Sequence, residues 1–265
     1  MLLGLILIFC AIGGVLSVIC AGLFLLLSEQ QRQHVLPHGI SFAIGALLTV
    51  AFIGLLPEAL TDAPASQVPA LTTTILVGIL LFFILEKLLI WRHCHSKSCE
   101  AHSEEPEHSH SHTHTSAGLL IILGDSIHNF VDGILITAAF FTDIQLGIIT
   151  SFAVAAHEIP QEVGDFAILL TSGYSKAKAF YYNVLSSLAT VLGGLLAYFS
   201  LESMRQLLPY ILALAASSFI YIAVADLIPM LHKKTDSKTS VQQVIGIALG
   251  VLLIVVVHGV AHKDV

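Results

Sequence analysis

Long apolar runs alternate with short polar connections along the whole chain. A membrane-spanning helix needs about 20 predominantly apolar residues, and eight runs meet that length. We therefore predict spanning helices, numbered one to eight, over residues 1–27, 38–60, 70–92, 117–142, 144–172, 178–200, 206–231 and 241–260. The predicted fold is an all-α membrane protein in which residues 1–265 form a single transmembrane domain.

The composition agrees with this pattern. Of the 265 residues, 56% are hydrophobic and only 11% are charged, whereas soluble proteins carry about 25% charged residues. The 11 Lys and Arg are outnumbered by 18 Asp and Glu, so there is no basic surface for nucleic acid. These values exclude a soluble enzyme, a disordered chain and a nucleic-acid binder, and the expected partner is the lipid bilayer.

The loop charges predict the orientation, because cytoplasmic loops carry an excess of Lys and Arg. With the N-terminus outside, nine of the 11 basic residues lie in loops or helix ends on the inward side, and only Arg205 and Lys263 lie outside. We therefore expect both termini on the non-cytoplasmic side. A plasma membrane or a bacterial inner membrane is favoured, and an organelle membrane is left open.

An internal repeat is visible in two short segments that each end in proline. Residues 51–57 read AFIGLLP and residues 223–229 read AVADLIP. The first segment belongs to helix two and the second to helix seven, which run in opposite directions in the predicted topology. The match predicts that helices one to three and six to eight are inverted repeats around helices four and five.

Helices four and five carry an unusual set of polar residues at bilayer depth, where an ionisable group indicates a functional site. His128 and Asp132 are four residues apart and share one helical face, as do His157 and Gln161. Imidazole and carboxylate groups at one depth suit Zn²⁺, and additional oxygen ligands favour Fe²⁺ or Mn²⁺. The full polar set comprises Asp125, His128, Asn129, Asp132, His157, Glu158, Gln161, Glu162 and Asp165.

Two motifs in these helices resemble those of the ZIP (Zrt/Irt-like) family of divalent metal-ion transporters. Residues 128–133 read HNFVDG, similar to the HNFxDG motif of that family. Residues 157–167 read HEIPQEVGDFA, similar to the HEIPHExGDFA motif of its largest, histidine-rich subfamily. The resemblance extends over nearly the whole chain from helix two onward.

The resemblance implies an eight-helix fold, a homodimer and transport of divalent metal into the cytoplasm. Zinc is the expected substrate, with iron, manganese or cadmium as alternatives. The primary metal site that it implies consists of His128, Asp132, His157 and Gln161. An adjoining second site would consist of Asn129, Asp132, Glu158 and Gln161. The pathway or supporting residues that we expect are Asp125, Glu162, Asp165 and Asp226.

The chain departs from the subfamily pattern at two positions. Gln161 stands where the motif has its second histidine, and a neutral amide bridges two metals poorly. Gly54 stands three residues before Pro57, where subfamily members usually have a histidine. We therefore expect a weakened second site and a broader metal preference at the first.

A histidine-rich loop over residues 93–116 is predicted on the cytoplasmic side between helices three and four. His108, His110, His112 and His114 alternate with other residues, which is a compositional signal of metal binding. We expect this loop to capture released metal, and a solvated linker is the alternative.

Two other function classes are compatible with parts of the sequence. Residues 157–161 are one residue away from the HExxH motif of a metalloprotease, but that motif needs a second histidine where Gln161 stands. A metal sensor that does not transport is the other alternative. The expectation from the sequence is a transporter and not an enzyme.

Overall fold

Every regular element that the computed structural model describes is a helix. The structure describes residues 1–61, 63–94, 113–232 and 237–261. The α-helices are α1 (Leu2–Ala11), α2 (Ser17–Phe24), α3 (Glu29–Thr49), α4 (Leu56–Thr61), α5 (Val68–Cys94), α6 (Thr113–Thr142), α7 (Ile144–Thr171), α8 (Lys176–Ser203), α9 (Leu208–Tyr221), α10 (Ile228–Leu231) and α11 (Ser237–Ala261). A short 3-10 turn, Arg205–Leu207, precedes α9.

Seven helical stretches in the described ranges are long and apolar enough to cross a membrane. They are Leu2–Phe24, Glu29–Thr61, Val68–Lys87, Ile121–Thr142, Lys176–Ser203, Arg205–Leu231 and Thr239–Gly259. The remaining long helix, α7, has 28 residues, or about 42 Å at 1.5 Å per residue. It is long enough to span but carries Glu158, Glu162 and Asp165. The all-α membrane fold is confirmed, and the eighth span stays a prediction.

The second membrane helix begins earlier than predicted. Ser28 and Gln31 form a capping box, in which Ser28 Oγ accepts from the Gln31 backbone N–H and Gln31 Oε1 accepts from the Ser28 N–H at 3.0 Å. This cap starts α3 at Glu29, and the helix continues through Pro37. The predicted start at residue 38 was wrong. It followed the apolar run, whereas the first turns of α3 are polar and therefore gave no apolar signal.

In the part of the chain that the structure describes, three π-helical segments join consecutive α-helices. Ile12–Leu16 joins α1 to α2, Val50–Leu55 joins α3 to α4, and Ile222–Leu227 joins α9 to α10. The second and third fall on the two segments that resemble each other in sequence, just before Pro57 and Pro229. The π-helical conformation of both segments supports the internal repeat. The inverted arrangement of the two repeats stays a prediction.

Helices α6 and α8 pack closely against each other, and glycine makes this approach possible. A Cβ atom at Gly193 would overlap the carbonyl oxygen of Phe130, and one at Gly133 would overlap the carbonyl oxygen of Thr190. Small residues of this kind let helix backbones pack closely in membranes. The contact holds the polar face of α8 against α6.

The outer faces of α5, α8 and α11 are apolar and exposed. Such faces suit contact with lipid, because lipid tails are as apolar as the side chains that meet them. Examples with at least 46% of their surface exposed are Leu80, Phe83, Leu188, Leu192, Leu249 and Leu252.

Candidate metal centre

The polar residues of α6 and α7 meet halfway along both helices. The midpoint of Thr113–Thr142 falls next to His128, and the midpoint of Ile144–Thr171 falls between His157 and Glu158. Both helices are long enough to cross the hydrocarbon layer. We therefore expect a site at these midpoints to lie near the centre of the bilayer.

Four side chains converge there, with two from each helix. The Nε2 atoms of His128 and His157 are 3.3 Å apart. His128 Nε2 lies 3.3 Å from Glu158 Oε1 and 3.9 Å from Asp132 Oδ2. His157 Nε2 lies 3.3 Å from Asp132 Oδ2 and 3.5 Å from Glu158 Oε1. We call these four residues the imidazole–carboxylate cluster.

The spacing of these atoms matches a tetrahedral metal site. Zinc binds histidine nitrogen and carboxylate oxygen at about 2.0–2.2 Å. Ligand atoms at the corners of such a tetrahedron lie about 3.3–3.6 Å apart. Four of the five measured separations in the cluster are 3.3–3.5 Å. The two imidazoles and two carboxylates can therefore hold one ion with only small side-chain movement.

His157 is held in the orientation that a metal ligand needs. Its Nδ1 lies 3.1 Å from the carbonyl oxygen of Ala153 on the preceding turn of α7. An Nδ1–H that donates to this carbonyl leaves the Nε2 lone pair directed into the cluster. On another side, the imidazole ring packs against Phe219 of α9, with ring centroids 6.1 Å apart.

The carboxylates of the cluster are buried without hydrogen bonds. Asp132 and Glu158 are each 0% exposed. None of their four carboxylate oxygens has a hydrogen-bond partner among the described residues. Burying a carboxylate in this state is costly unless a cation compensates it, so a bound divalent ion would satisfy both groups at once.

The two amide residues that the family resemblance places among the ligands make other contacts. Gln161 Nε2 donates to Asp125 Oδ1 at 3.3 Å. Asn129 Nδ2 donates to the same oxygen at 3.0 Å, and Asn129 Oδ1 accepts from Thr190 Oγ1 at 2.6 Å. Both amides therefore surround Asp125. Glu158, which the resemblance places in the second site, lies within 3.5 Å of both imidazoles.

A cavity of about 390 Å³ opens beside the cluster between α5, α6, α7 and α9. His128, His157 and Gln161 line one wall. The predicted pathway residues Asp125, Asp165 and Asp226 also line it. Because the cavity reaches both imidazoles, it provides space through which an ion could approach or leave them.

Two polar residues of the cavity wall were not predicted as site residues. Glu86 of α5 and Tyr221 of α9 both line it, and the Tyr221 hydroxyl donates to Glu86 Oε2. An acidic residue directly after the apolar run at 75–85 was the signal that could have identified Glu86. Tyr221 had no comparable signal, because its role depends on the packing of α9 against α5.

The remaining predicted positions lie either away from the cluster or outside the residues that the structure describes. A Cβ atom at Gly54 would lie 2.9 Å from Leu146 Cδ1, so this position faces the start of α7 and not its centre. His108, His110 and His112 of the predicted loop lie outside the described residues. Residues 113–116 begin α6, and the His114 side chain is not among those described.

Comparison with known proteins gives one consistent result. The family described as ZIP Zinc transporter matches residues 1–258. Zinc transporter ZIP13 from Pongo abelii is 32% identical over 273 residues, covering 93% of this chain and 77% of that protein. The ZIP13 homolog from Drosophila melanogaster is 30% identical over 272 residues, covering 82% of this chain and 76% of that protein.

Zinc transporter ZIP10 from Homo sapiens is 36% identical over a shorter stretch of 149 residues. This stretch is 56% of the present chain but only 18% of that much longer protein. Membership of the family rests on the family match and on the two ZIP13 alignments, and not on this short ZIP10 alignment. With a family match over nearly its whole length and a polar cluster at the centre of its helices, this chain belongs to the ZIP zinc transporter family.

Proposed function

We propose that the protein carries divalent metal, with zinc as the main substrate, through its membrane by way of the imidazole–carboxylate cluster. Membership of a zinc transporter family supports transport as the function class. The names of the ZIP13 and ZIP10 relatives support zinc as the substrate.

The arrangement of His128, Asp132, His157 and Glu158 is the observation that carries the proposal. One ligand atom from each residue lies within 4.8 Å of the others. Two neutral imidazoles and two carboxylates would leave a bound Zn²⁺ with no net excess of positive charge. A transition metal prefers this nitrogen and oxygen set to the water-rich shell that suits Mg²⁺.

Transport requires that the ion lose its water and later regain it. The ligands replace the lost water on entry, and the cavity beside them offers space for rehydration on exit. Asp125, Asp165 and Asp226 line that cavity, and we propose them as pathway or supporting residues. Net transport further requires that the cluster open alternately to each side of the membrane.

Direction, orientation and assembly are parts of the same proposal. We propose that metal moves into the cytoplasm and that both termini lie on the other side, as the loop charges indicate. The homodimer and the binding of released metal by His108–His114 rest on the family resemblance and on composition. Iron, manganese and cadmium are proposed as alternative substrates.

A flux assay with the purified full chain in proteoliposomes tests this function. We expect uptake of radioactive zinc that saturates and that is lost in His128→Ala and Asp132→Ala. His34→Ala is the matched control, because His34 is exposed on α3 and lies outside the cluster. The same vesicles, supplied with iron, manganese or cadmium, measure selectivity. Wild-type rates in the cluster variants would refute the site.

The same assay separates the proposal from its two alternatives. A metal sensor would bind zinc without flux. An intramembrane protease would cleave a membrane substrate and lose that activity in Glu158→Gln. The protease is disfavoured because family members are transporters and because Gln161 donates its amide to Asp125, where the HExxH motif needs a histidine ligand.

A further inference from the structure

We propose that Asp125, Glu158 and Glu162 form a second cation subsite, made only of carboxylate oxygens, that takes a hard divalent cation such as Mn²⁺. One oxygen from each of the three residues lies within 4.8 Å of the others. Asp125 is on α6, and the two glutamates are one helical turn apart on α7. We call this group the carboxylate subsite.

Asp125 is fixed in place by donors from three helices. Asn129 of α6 and Gln161 of α7 donate to its Oδ1, and Ser186 of α8 donates to its Oδ2. The side chain of Asp125 is 6% exposed. A carboxylate held in this manner offers its remaining lone pairs in a defined direction.

Glu162 has the opposite environment. It is 0% exposed, and neither of its carboxylate oxygens has a hydrogen-bond partner among the described residues. Glu158 is buried without hydrogen bonds in the same way. Three buried carboxylates at this separation repel one another strongly at low dielectric. A cation between them would both satisfy the unpaired oxygens and remove the repulsion.

The donor chemistry separates this subsite from the imidazole–carboxylate cluster. Oxygen-only ligand sets suit Mg²⁺, Ca²⁺ and Mn²⁺, whereas imidazole suits Zn²⁺ and Fe²⁺. Glu158 belongs to both groups, so an ion in one lies close to an ion in the other. Asp125 also lines the cavity, which provides access. The subsite goes beyond the proposed function, since binding there is measurable whether or not the protein moves zinc.

Manganese binding to the purified full chain in lipid nanodiscs tests the subsite. The variant His128→Ala/His157→Ala removes both imidazoles of the neighbouring cluster. We expect it to retain one Mn²⁺ per chain, detected by the loss of the free-ion EPR signal. The bound ion should show no coupling to ¹⁴N in pulsed EPR, which separates it from ions held by histidines elsewhere in the chain.

Adding Glu162→Gln to this variant should weaken that Mn²⁺ binding at least tenfold. Adding Glu202→Gln should not, because Glu202 is an exposed acid at the end of α8. Equal binding in the two variants, or ¹⁴N coupling of the bound ion, would overturn the proposal. Neither result depends on zinc flux, so failure here is distinct from failure of the transport function.

Thermal stability gives a second readout that does not depend on the double variant. Glutamine replaces Glu162 without changing its size and removes a buried, unpaired carboxylate. Metal-free Glu162→Gln should therefore be at least as stable as the unsubstituted protein, yet lose the rise in Tm that Mn²⁺ produces. An equal Mn²⁺-induced rise in both proteins would contradict the subsite.

Discussion

The Nε2 atoms of His128 and His157 face each other at 3.3 Å, from the centres of two different membrane helices. When both rings are neutral and present lone pairs, this approach is repulsive unless a cation lies between them. The carboxylates of Asp132 and Glu158 add negative charge on the flanks. A metal ion between the two Nε2 atoms would therefore stabilise this arrangement best. A proton would compete with the metal for the same nitrogen lone pairs.

Uptake should accordingly fall as the pH is lowered. Histidine ligands bind metal only in the neutral form, so protons compete with the metal ion for these ligands. We therefore expect zinc uptake at pH 5.5 to be severalfold lower than at pH 7.5. Initial rates in proteoliposomes with equal pH on both sides measure this. A rate that stays constant or rises toward acid pH would contradict the prediction.

Ser186 should act on metal binding by positioning Asp125. Its hydroxyl reaches across from α8 to Asp125, whereas among the described residues the hydroxyl of Ser187 donates to the Val184 carbonyl of its own helix. Both serines are at most 1% exposed. Loss of a residue that orients a metal ligand typically costs 10–100-fold in affinity or activity.

We therefore expect Ser186→Ala to weaken Mn²⁺ binding about tenfold or more, and Ser187→Ala to leave it nearly unchanged. Ser186→Thr keeps the hydroxyl and should restore most of the affinity. Equilibrium titration in nanodiscs measures all three proteins. If Ser187→Ala is as damaging as Ser186→Ala, the effect comes from general packing and not from the hydrogen bond to Asp125.

The approach of α6 to α8 should not tolerate a methyl group at Gly193. An added Cβ would overlap the carbonyl oxygen of Phe130, so the helices must separate. Overpacking of this kind costs about 1–3 kcal/mol, and we expect Gly193→Ala to lower Tm and zinc uptake together. Gly39→Ala is the control, since no atom lies within 4 Å of a Cβ at that position. A Gly193→Ala protein as stable as Gly39→Ala would show that the close contact is not required.

Restoring histidine at position 161 should change metal preference. Imidazole is a better ligand for zinc than an amide oxygen, and Gln161 already lies beside Asp125 on the cavity wall. We expect Gln161→His to make zinc uptake more resistant to competing Mn²⁺, by several fold. Gln145→His provides the control, since Gln145 is exposed at the start of the same helix. Unchanged competition in Gln161→His would show that this side chain takes no part in selection.

The sequence alone identified the helices and most of the polar residues that meet at their centre. Apolar runs of membrane length predicted the helical stretches because lipid requires a continuous apolar surface. A spacing of four residues placed His128 with Asp132, since such residues share a helical face. The start of α3 was missed because capping by Ser28 begins a helix without an apolar signal.

Tertiary packing decided which of these residues lie together. Glu158 joins the imidazoles and Gln161 turns to Asp125 because of how α6 and α7 meet, which no spacing within one helix determines. Ser186 reaches Asp125 only because Gly133 and Gly193 let α8 approach α6. Tyr221 meets Glu86 through the packing of α9 on α5. The sequence thus determined which chemical groups the central turns of α6 and α7 carry, whereas contacts between helices decided which of those groups lie together.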